Sequence, residues 1–327
     1  MKLSILIPTY NRCNDLRKNL ELLCTYIKDD QLELEVCILV SDNASTDNTE
    51  LLVQSFLSQG VSVEYFRNET NVGYSENVIS ILSKAKTEWV MLLGDDDYLE
   101  PWYIKECLNR INANPNLGCL IANYIDYDTS TGQYGSLREE NCQTQYYNAG
   151  YSACIENIWR AHQVSGLCFR RNQLVDLYQN KKMNNLYPQM FFVGFNALKY
   201  DVLHFGEKCL AVSSVSQDKK DWNYGNDGLM NDICENFKNL DISYKQRAKL
   251  EADFNARQQR YLWTLTDMNL CIDNILCAKN ISLFGKYYIS RQILRQYHYS
   301  GKRHRIWFYV IARISLLKNL LNGRVGL

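Results

Sequence analysis

The chain reads as an α/β protein: a mostly parallel sheet covered by helices on both faces, followed by a mainly helical C-terminal region. Three observations predict this. Strand–loop–helix repeats at least three times before residue 100. The apolar runs end abruptly in polar turns, as buried strands of parallel sheets do. From roughly residue 229 the pattern becomes mostly helical.

Residues 3–8 (LSILIP) form the first buried strand, ending at Pro8. Thr9-Tyr10-Asn11-Arg12 follow as a loop. Asn14 is a fair N-cap for a helix over 15–27, where Leu16, Leu20, Leu23 and Ile27 recur at helical spacing. Residues 34–41 are the second strand, ending at Asp42-Asn43. Asp47 with Glu50 resembles a capping box for a helix reaching Gln59, and Gly60 closes it. A third strand over 61–66 leads into Arg67–Gly73, and a helix over 74–84 follows. Next comes Val90-Met91-Leu92-Leu93-Gly94-Asp95-Asp96-Asp97, with Pro101 opening another helix.

Three adjacent carboxylates at a strand end repel one another unless a cation or hydrogen bonds neutralise them. Hard ions such as Mg²⁺ or Mn²⁺ are held by one or two carboxylates and complete their shell with phosphate oxygens and water. A solvated Asp-rich turn has the same composition. Topology separates the two readings. In a parallel sheet the loops after the strands share one edge, so Thr9–Arg12, Asp42–Asn43 and Asp95–Asp97 converge, as a nucleotide-type site requires.

Past residue 125 the periodicity weakens. Residues 126–157 read as a long polar loop region, Val164–Phe169 as a strand capped by Arg170-Arg171, and 187–200 as a helix with Pro188 in its first turn. Residues 202–217 read as short strand-like segments and 218–228 as a charged loop. The expected organisation is a domain over 1–228, with a nucleotide half over 1–125 and an acceptor half over 126–228. A helical region over 229–327 follows.

Composition excludes some classes. Lys plus Arg and Asp plus Glu number 36 each, so no global charge points to nucleic acid. No GxGxxG follows the first strand, which argues against a dinucleotide oxidoreductase. Residues 9–14 (TYNRCN) lack the glycine- and lysine-rich phosphate loop expected of a sugar nucleotidyltransferase. The 12 cysteines are scattered without a CxxC pair, and several sit in apolar runs. With neither a signal peptide nor a long uncharged apolar run, these features predict a reducing, cytoplasmic setting.

Between Gly301 and Leu327 there are six Lys or Arg and no Asp or Glu, beside Ile306–Ile311, Leu316-Leu317 and Leu320-Leu321. A basic, aromatic-bearing helix over 302–327 can lie on an anionic membrane surface, or dock on the body by its apolar face. The crowding of large apolar residues beside basic ones favours peripheral contact with the inner face of the plasma membrane.

Ser4–Arg12 (SILIPTYNR), Val40–Asp47 (VSDNASTD), Asn71-Val72-Gly73 and Gly94–Asp97 (GDDD) occur in an order and spacing that resemble the family 2 glycosyltransferases with the GT-A, Rossmann-like fold. Val164–Arg171 resembles the strand that follows the acceptor loop in that family. The whole chain is most similar to bacterial O-antigen and capsule sugar transferases of the abequosyltransferase-like group. The resemblance implies transfer of a sugar from a nucleotide-sugar donor to a lipid-linked or oligosaccharide acceptor, with inversion and with Mn²⁺ or Mg²⁺. It implies that Pro8, Thr9, Asn11 and Arg12 line the nucleotide pocket. Asp42 would accept a hydrogen bond from the base, with Asn43 beside it, and Asn71, Gly73 and Asn77 would shape the neighbouring loop and helix.

The family's acidic motif usually runs Asp-x-Asp-Asp. Here Gly94 takes the first place, which assigns Asp95 to the ribose and Asp96 to the metal, with Asp97 either a second ligand or the residue that orients the loop. The family often carries an acidic base on the helix after the basic strand end, but 187–200 has no acid before Asp201. Asp201, Asp218, Asp221, Asp227 and His162 are possible substitutes, and none is singled out. That gap leaves a non-catalytic carbohydrate- or partner-binding module as the alternative.

Overall fold

The computed structural model describes residues 1–58, 60–213, 229–259 and 274–296. The chain divides into two compact units, Met1–Trp222 and Asn223–Leu327. The charged loop over 218–228, with Asp218, Asp221 and Asp227, and the tail over 302–327 lie outside the described residues.

The first unit is built on a ten-stranded mixed sheet. Strands β1 (Leu3–Thr9), β2 (Val36–Asp42), β3 (Ser62–Arg67) and β4 (Trp89–Leu92) are parallel in the order β3-β2-β1-β4. The short β5 (Tyr98–Leu99) lies at the far edge, paired antiparallel with β10. Strand β6 (Leu117–Asp128) runs parallel to β10 (Asp201–Ser213), and β9 (Leu167–Arg170) sits antiparallel between β4 and β6. Two further strands, β7 (Gln133–Leu137) and β8 (Gln145–Tyr147), pair with β6 and β10.

Side-chain alternation divides the sheet's two faces. Leu3, Ile5 and Ile7 of β1 share a core with Val36, Ile38 and Val40 of β2 and with α1 (Cys13–Asp29), α2 (Thr49–Gln54) and α4 (Tyr103–Ala113). Helix α3 (Tyr74–Lys84) packs on β1 and β2 and also meets α6 (Leu174–Asn180) and α7 (Pro188–Lys199). The four α1 residues expected to face the sheet, Leu16, Leu20, Leu23 and Ile27, are all buried. Each contributes about 2 kcal/mol of apolar burial.

Several local expectations differ from the structure. Helix α1 begins at Cys13 with Arg12 as its N-cap, so Asn14 lies inside the helix. The first-turn N–H of Cys13 is instead satisfied by Asp47 Oδ2 at 3.0 Å, from the loop after β2. Asp47 Oδ1 meanwhile accepts from Thr49 N at 3.1 Å at the start of α2, but the N-cap there is Asn48, so Asp47 and Glu50 form no capping box, and α2 is a short helix ending at Gln54. Helix α4 starts at Tyr103, two residues after Pro101.

The region over 126–157 is not one loop. It holds the end of β6, the strands β7 and β8, and α5 (Tyr151–Asn157), which leads into a 3-10 turn over Ile158–His162. Its strands are short and mostly exposed, so they lack the alternation that marks a half-buried strand. Residues 201–213 form one long strand with register shifts, not separate segments.

In the second unit, α8 (Met230–Lys238) and α10 (Leu283–Gln296) both pack on α9 (Tyr244–Gln258). Ser243 and Gln246 form a reciprocal capping box at the start of α9. The buried Glu251 accepts from Arg247 Nε at 2.8 Å and from Ser282 N at 3.0 Å.

Candidate functional site

Parallel pairing sets Thr9 beside Asp42 at the ends of β1 and β2, and Asp42 beside Arg67 at the end of β3. The loop after β4 starts on the same edge. Thr9 Oγ1 donates to Asp95 Oδ2 at 2.7 Å, and Arg12 Nη1 donates to Asp95 Oδ1 at 3.1 Å and Asp96 Oδ2 at 2.7 Å. The loops after β1 and β4, eighty-odd residues apart in sequence, are therefore directly bonded. The loop after β2 joins them through Asn11. This residue has the left-handed φ of 53° that asparagine tolerates. Its backbone N–H donates to Ser45 Oγ at 2.9 Å, and its Oδ1 accepts from Thr46 N at 2.7 Å.

The three aspartates differ in surroundings. Asp95 and Asp97 are buried, while the Asp96 side chain is 18% exposed. Burial pushes the Asp95 carboxyl up to about 7, with Arg12 opposing and the neighbouring Asp96 charge adding to the rise. Burial raises Asp97 in the same way. The oxygens of Asp97 are filled by protein donors: Oδ1 accepts from Ser213 N at 2.8 Å, and Oδ2 from Gln163 Nε2 at 3.0 Å and from the Ser165 hydroxyl. Asp97 thus ties the turn to β10 and to the segment before β9. Asp95 and Asp96 are held instead by Thr9 and by the half-exposed Arg12 side chain. Such a pair of hard oxygen donors, one of them desolvated, fits a Mg²⁺ or Mn²⁺ ion with Arg12 displaced.

Asp42 is fully buried. Its Oδ1 accepts from Ser45 N at 2.8 Å, and its Oδ2 from Tyr65 Oη at 2.6 Å and Arg67 Nη1 at 2.8 Å. Burial and the Asp42 contact push the Tyr65 phenol up, so it stays a donor. Asn43 Nδ2 donates to Asn71 Oδ1 at 2.7 Å, and its Oδ1 accepts from Asn68 Nδ2 and Val72 N, each at 3.0 Å. Asn77 exchanges two hydrogen bonds with Ser41, bolting α3 to β2. Gly73 adopts φ +83° just before α3, a left-handed conformation that glycine supplies without steric cost. Pro8 lies beside Ser41 one residue before the rim.

Residues that sequence reasoning passed over complete the frame. Asn19 of α1 donates to the carbonyls of both Gly94 and Asp97 at 2.9 Å, and Ser165 accepts from Gly94 N at 2.8 Å. Tyr65, Arg67 and Asn68 line the β2–β3 side. Asn19 carries no sequence signal beyond being a polar residue on the apolar face of α1.

Of the acids proposed as substitutes for a base, Asp201 starts β10, at the opposite end of the sheet from the rim, and accepts from Ala149 N at 3.0 Å. His162 precedes Gln163, the donor to Asp97, and its Nδ1 lies 3.1 Å from the Trp159 carbonyl. A separate cluster of Glu139, Cys142 and His204 brings three metal-ligating groups together. Both Glu139 oxygens there are already held by Arg160, through Nε at 2.6 Å and Nη2 at 2.7 Å, so it is an ion-pair network. The cysteines of the described residues are free thiols.

The sequence model described as Glycosyl transferase family 2 matches residues 4–197. Abequosyltransferase RfbV of Salmonella typhimurium is 35% identical over 100 residues, 30% of this chain and 29% of that protein. A GalNAc(5)-diNAcBac-PP-undecaprenol beta-1,3-glucosyltransferase of Campylobacter jejuni is 32% identical over 112 residues, covering 34% of this chain and 35% of that protein. The chain therefore spans about a third of the length of these relatives. Among solved structures, S. aureus TarS 1-349 in complex with UDP-GlcNAc superposes with a TM-score of 0.64 at 16% identity, over 92% of this chain and 93% of that one. A mannosyltransferase from Pyrobaculum calidifontis in complex with GDP-Man and Mn²⁺ gives 0.53 at 14% identity, over 98% and 88%. With the family's sequence model covering more than half of its length, and with the strand ends arranged as described, the chain belongs to glycosyl transferase family 2 and has the GT-A fold.

Proposed function

We propose that the protein moves a sugar from a nucleoside-diphosphate donor to a lipid-linked or oligosaccharide acceptor during bacterial surface polysaccharide synthesis, with inversion at the anomeric carbon. The observation that carries the reading is the convergence of Thr9, Arg12, Asp95 and Asp96 at 2.7–3.1 Å beside the buried Asp42. The printed name of the Campylobacter jejuni relative, a glucosyltransferase acting on a PP-undecaprenol-linked glycan, supports a lipid-linked acceptor.

In this reading Asp42, held by Tyr65 and Arg67, faces the base, and Asn43, Asn71, Gly73 and Asn77 shape the wall beside it. Asp95, fixed by Thr9, would contact the ribose, and Asp96 with Asp95 would hold a Mn²⁺ or Mg²⁺ ion. When bound, that ion supplies Lewis-acid stabilisation of the charge that collects on the departing diphosphate. Arg12 adds a mobile positive charge at the same phosphates. Asp97 orients the turn, since its oxygens already serve Ser213, Gln163 and Ser165.

The test is Asp96→Ala. The variant is expected to keep its circular dichroism spectrum and to lose the Mn²⁺-dependent part of its affinity for UDP, GDP, CDP or dTDP, whichever the wild type prefers. Nucleotide affinity equal to wild type with and without Mn²⁺ would refute the reading.

A further inference from the structure

We propose that Arg12 is the internal competitor of the divalent ion: its guanidinium clamps Asp95 and Asp96 in the nucleotide-free protein and swings to the donor's diphosphate when the ion takes that pair. The proposal rests on the metal reading above and adds an order to the binding events.

A single nitrogen, Arg12 Nη1, spans Asp95 Oδ1 at 3.1 Å and Asp96 Oδ2 at 2.7 Å. A divalent ion held by these two carboxylates would compete with the guanidinium for the same oxygens and repel it. The two cations therefore exclude one another.

The backbone around Arg12 is held, whereas its side chain reaches solvent. Its carbonyl accepts from Leu16 N at 3.0 Å, and Asn11 and Cys13 on either side donate to Ser45 and Asp47. The side chain itself is 42% exposed. Exchange thus needs only new rotamers. Asp15, in the first turn of α1, is a charge neighbour of both Arg12 and Asp96. It offers a released guanidinium one weak partner. A diphosphate on the ion offers several oxygens in the planar geometry that arginine prefers.

The consequence is coupling. An ion binding alone must displace Arg12 with little compensation, whereas an ion arriving with a nucleoside diphosphate gives Arg12 a better partner. Each ligand then tightens the other.

The experiment measures Mn²⁺ binding to the full-length protein by loss of the free-ion paramagnetic resonance signal, with Mn²⁺ alone and with UDP, GDP, CDP or dTDP. Arg12→Ala is expected to bind Mn²⁺ alone roughly 2- to 5-fold more tightly than wild type, the range set by loss of the half-exposed ion pairs to Asp95 and Asp96. Its gain in Mn²⁺ affinity on adding nucleotide should shrink. Arg12→Lys, which keeps a cation, should fall between the two. Arg12→Gln repeats the comparison should the alanine variant melt early. Mn²⁺ affinity unchanged or weaker in the folded variants, with nucleotide-dependent binding intact in wild type, overturns the role of Arg12 alone. No Mn²⁺ binding by any form with any nucleotide overturns the metal reading and this proposal together.

Discussion

Gly94 is the residue at which the acidic turn departs from the family's usual Asp-x-Asp-Asp, and the structure supplies a physical reason. A Cβ at Gly94 would lie 3.1 Å from Ser165 Oγ, 3.2 Å from Asp97 Oδ2 and 3.3 Å from Asp96 Oδ1. The position is crowded by the hydroxyl that anchors the turn and by two carboxylates. Gly94→Asp should therefore destabilise, by overpacking and by adding a fourth carboxylate to a turn that already holds three, at about 1–3 kcal/mol. Thermal unfolding checks this, with a fall in Tm of several degrees expected and an unchanged Tm counting against the account. The same neighbourhood shows what sequence can reveal at single residues. Thr9 and Asp42 end apolar strands, and Arg12 and Asp95 follow such strands within three residues, so strand ends alone bring them to one rim. Asn19, Gln163 and Ser165 act on the turn from a helix face and from a loop 66 to 78 residues away. Nothing in their local pattern distinguishes them from other polar residues.

At the scale of elements, the parallel half of the sheet was legible because each of its strands is an apolar run bounded by turn residues. The half after residue 125 was not. Its strands β7 and β8 are exposed hairpin-like additions whose placement depends on partners far along the chain, in β6 and β10. One tie that fixes this region is the network of Glu139, Arg160 and His204. Arg160 grips both oxygens of Glu139, and His204 Nε2 lies 3.2 Å from Oε1. Burial alone would raise the Glu139 carboxyl, but the hydrogen bonds and charges of Arg160 and His204 outweigh it and bring it down to about 2. Burial, aided by the Arg160 charge, lowers His204. Both shifts favour unfolding in acid. Glu139's contribution is complete above its unfolded value of about 4.3 and is lost as pH falls toward 2. His204 binds its proton more readily unfolded, so it subtracts stability as pH falls through about 6.5. Solvent screening at the partly exposed Glu139 limits its share to about 2 kcal/mol. Between pH 7 and about 4.5 the buried Asp95 and Asp97, which bind protons more readily in the folded protein, oppose His204, so the network shows at lower pH: in chemical denaturation Glu139→Gln should flatten the fall in stability below about pH 4.5. A variant curve parallel to wild type would remove the network from the explanation.

For the whole molecule, equal numbers of basic and acidic residues mean that any attraction to an anionic surface has to be local. No helix among the described residues is long and apolar enough to cross a membrane. The segment over 302–327 concentrates six Lys or Arg without an acid, next to Trp307, Phe308 and Tyr309. Each basic residue near an anionic leaflet contributes about 1 kcal/mol, and inserted aromatic and leucine side chains add apolar burial. Taken together these terms favour peripheral binding that weakens as salt screens the charges. A lipid-linked acceptor would be presented at that same surface, which ties the tail to the proposed reaction. Deleting residues 302–327 should release the protein from vesicles containing phosphatidylserine or phosphatidylglycerol in a co-sedimentation assay. Binding of the intact chain to neutral phosphatidylcholine vesicles should already be weak. The truncated protein should keep its nucleotide affinity, because the residues assigned to the donor all lie before residue 100. Persistent co-sedimentation after the deletion would remove the tail as the anchor.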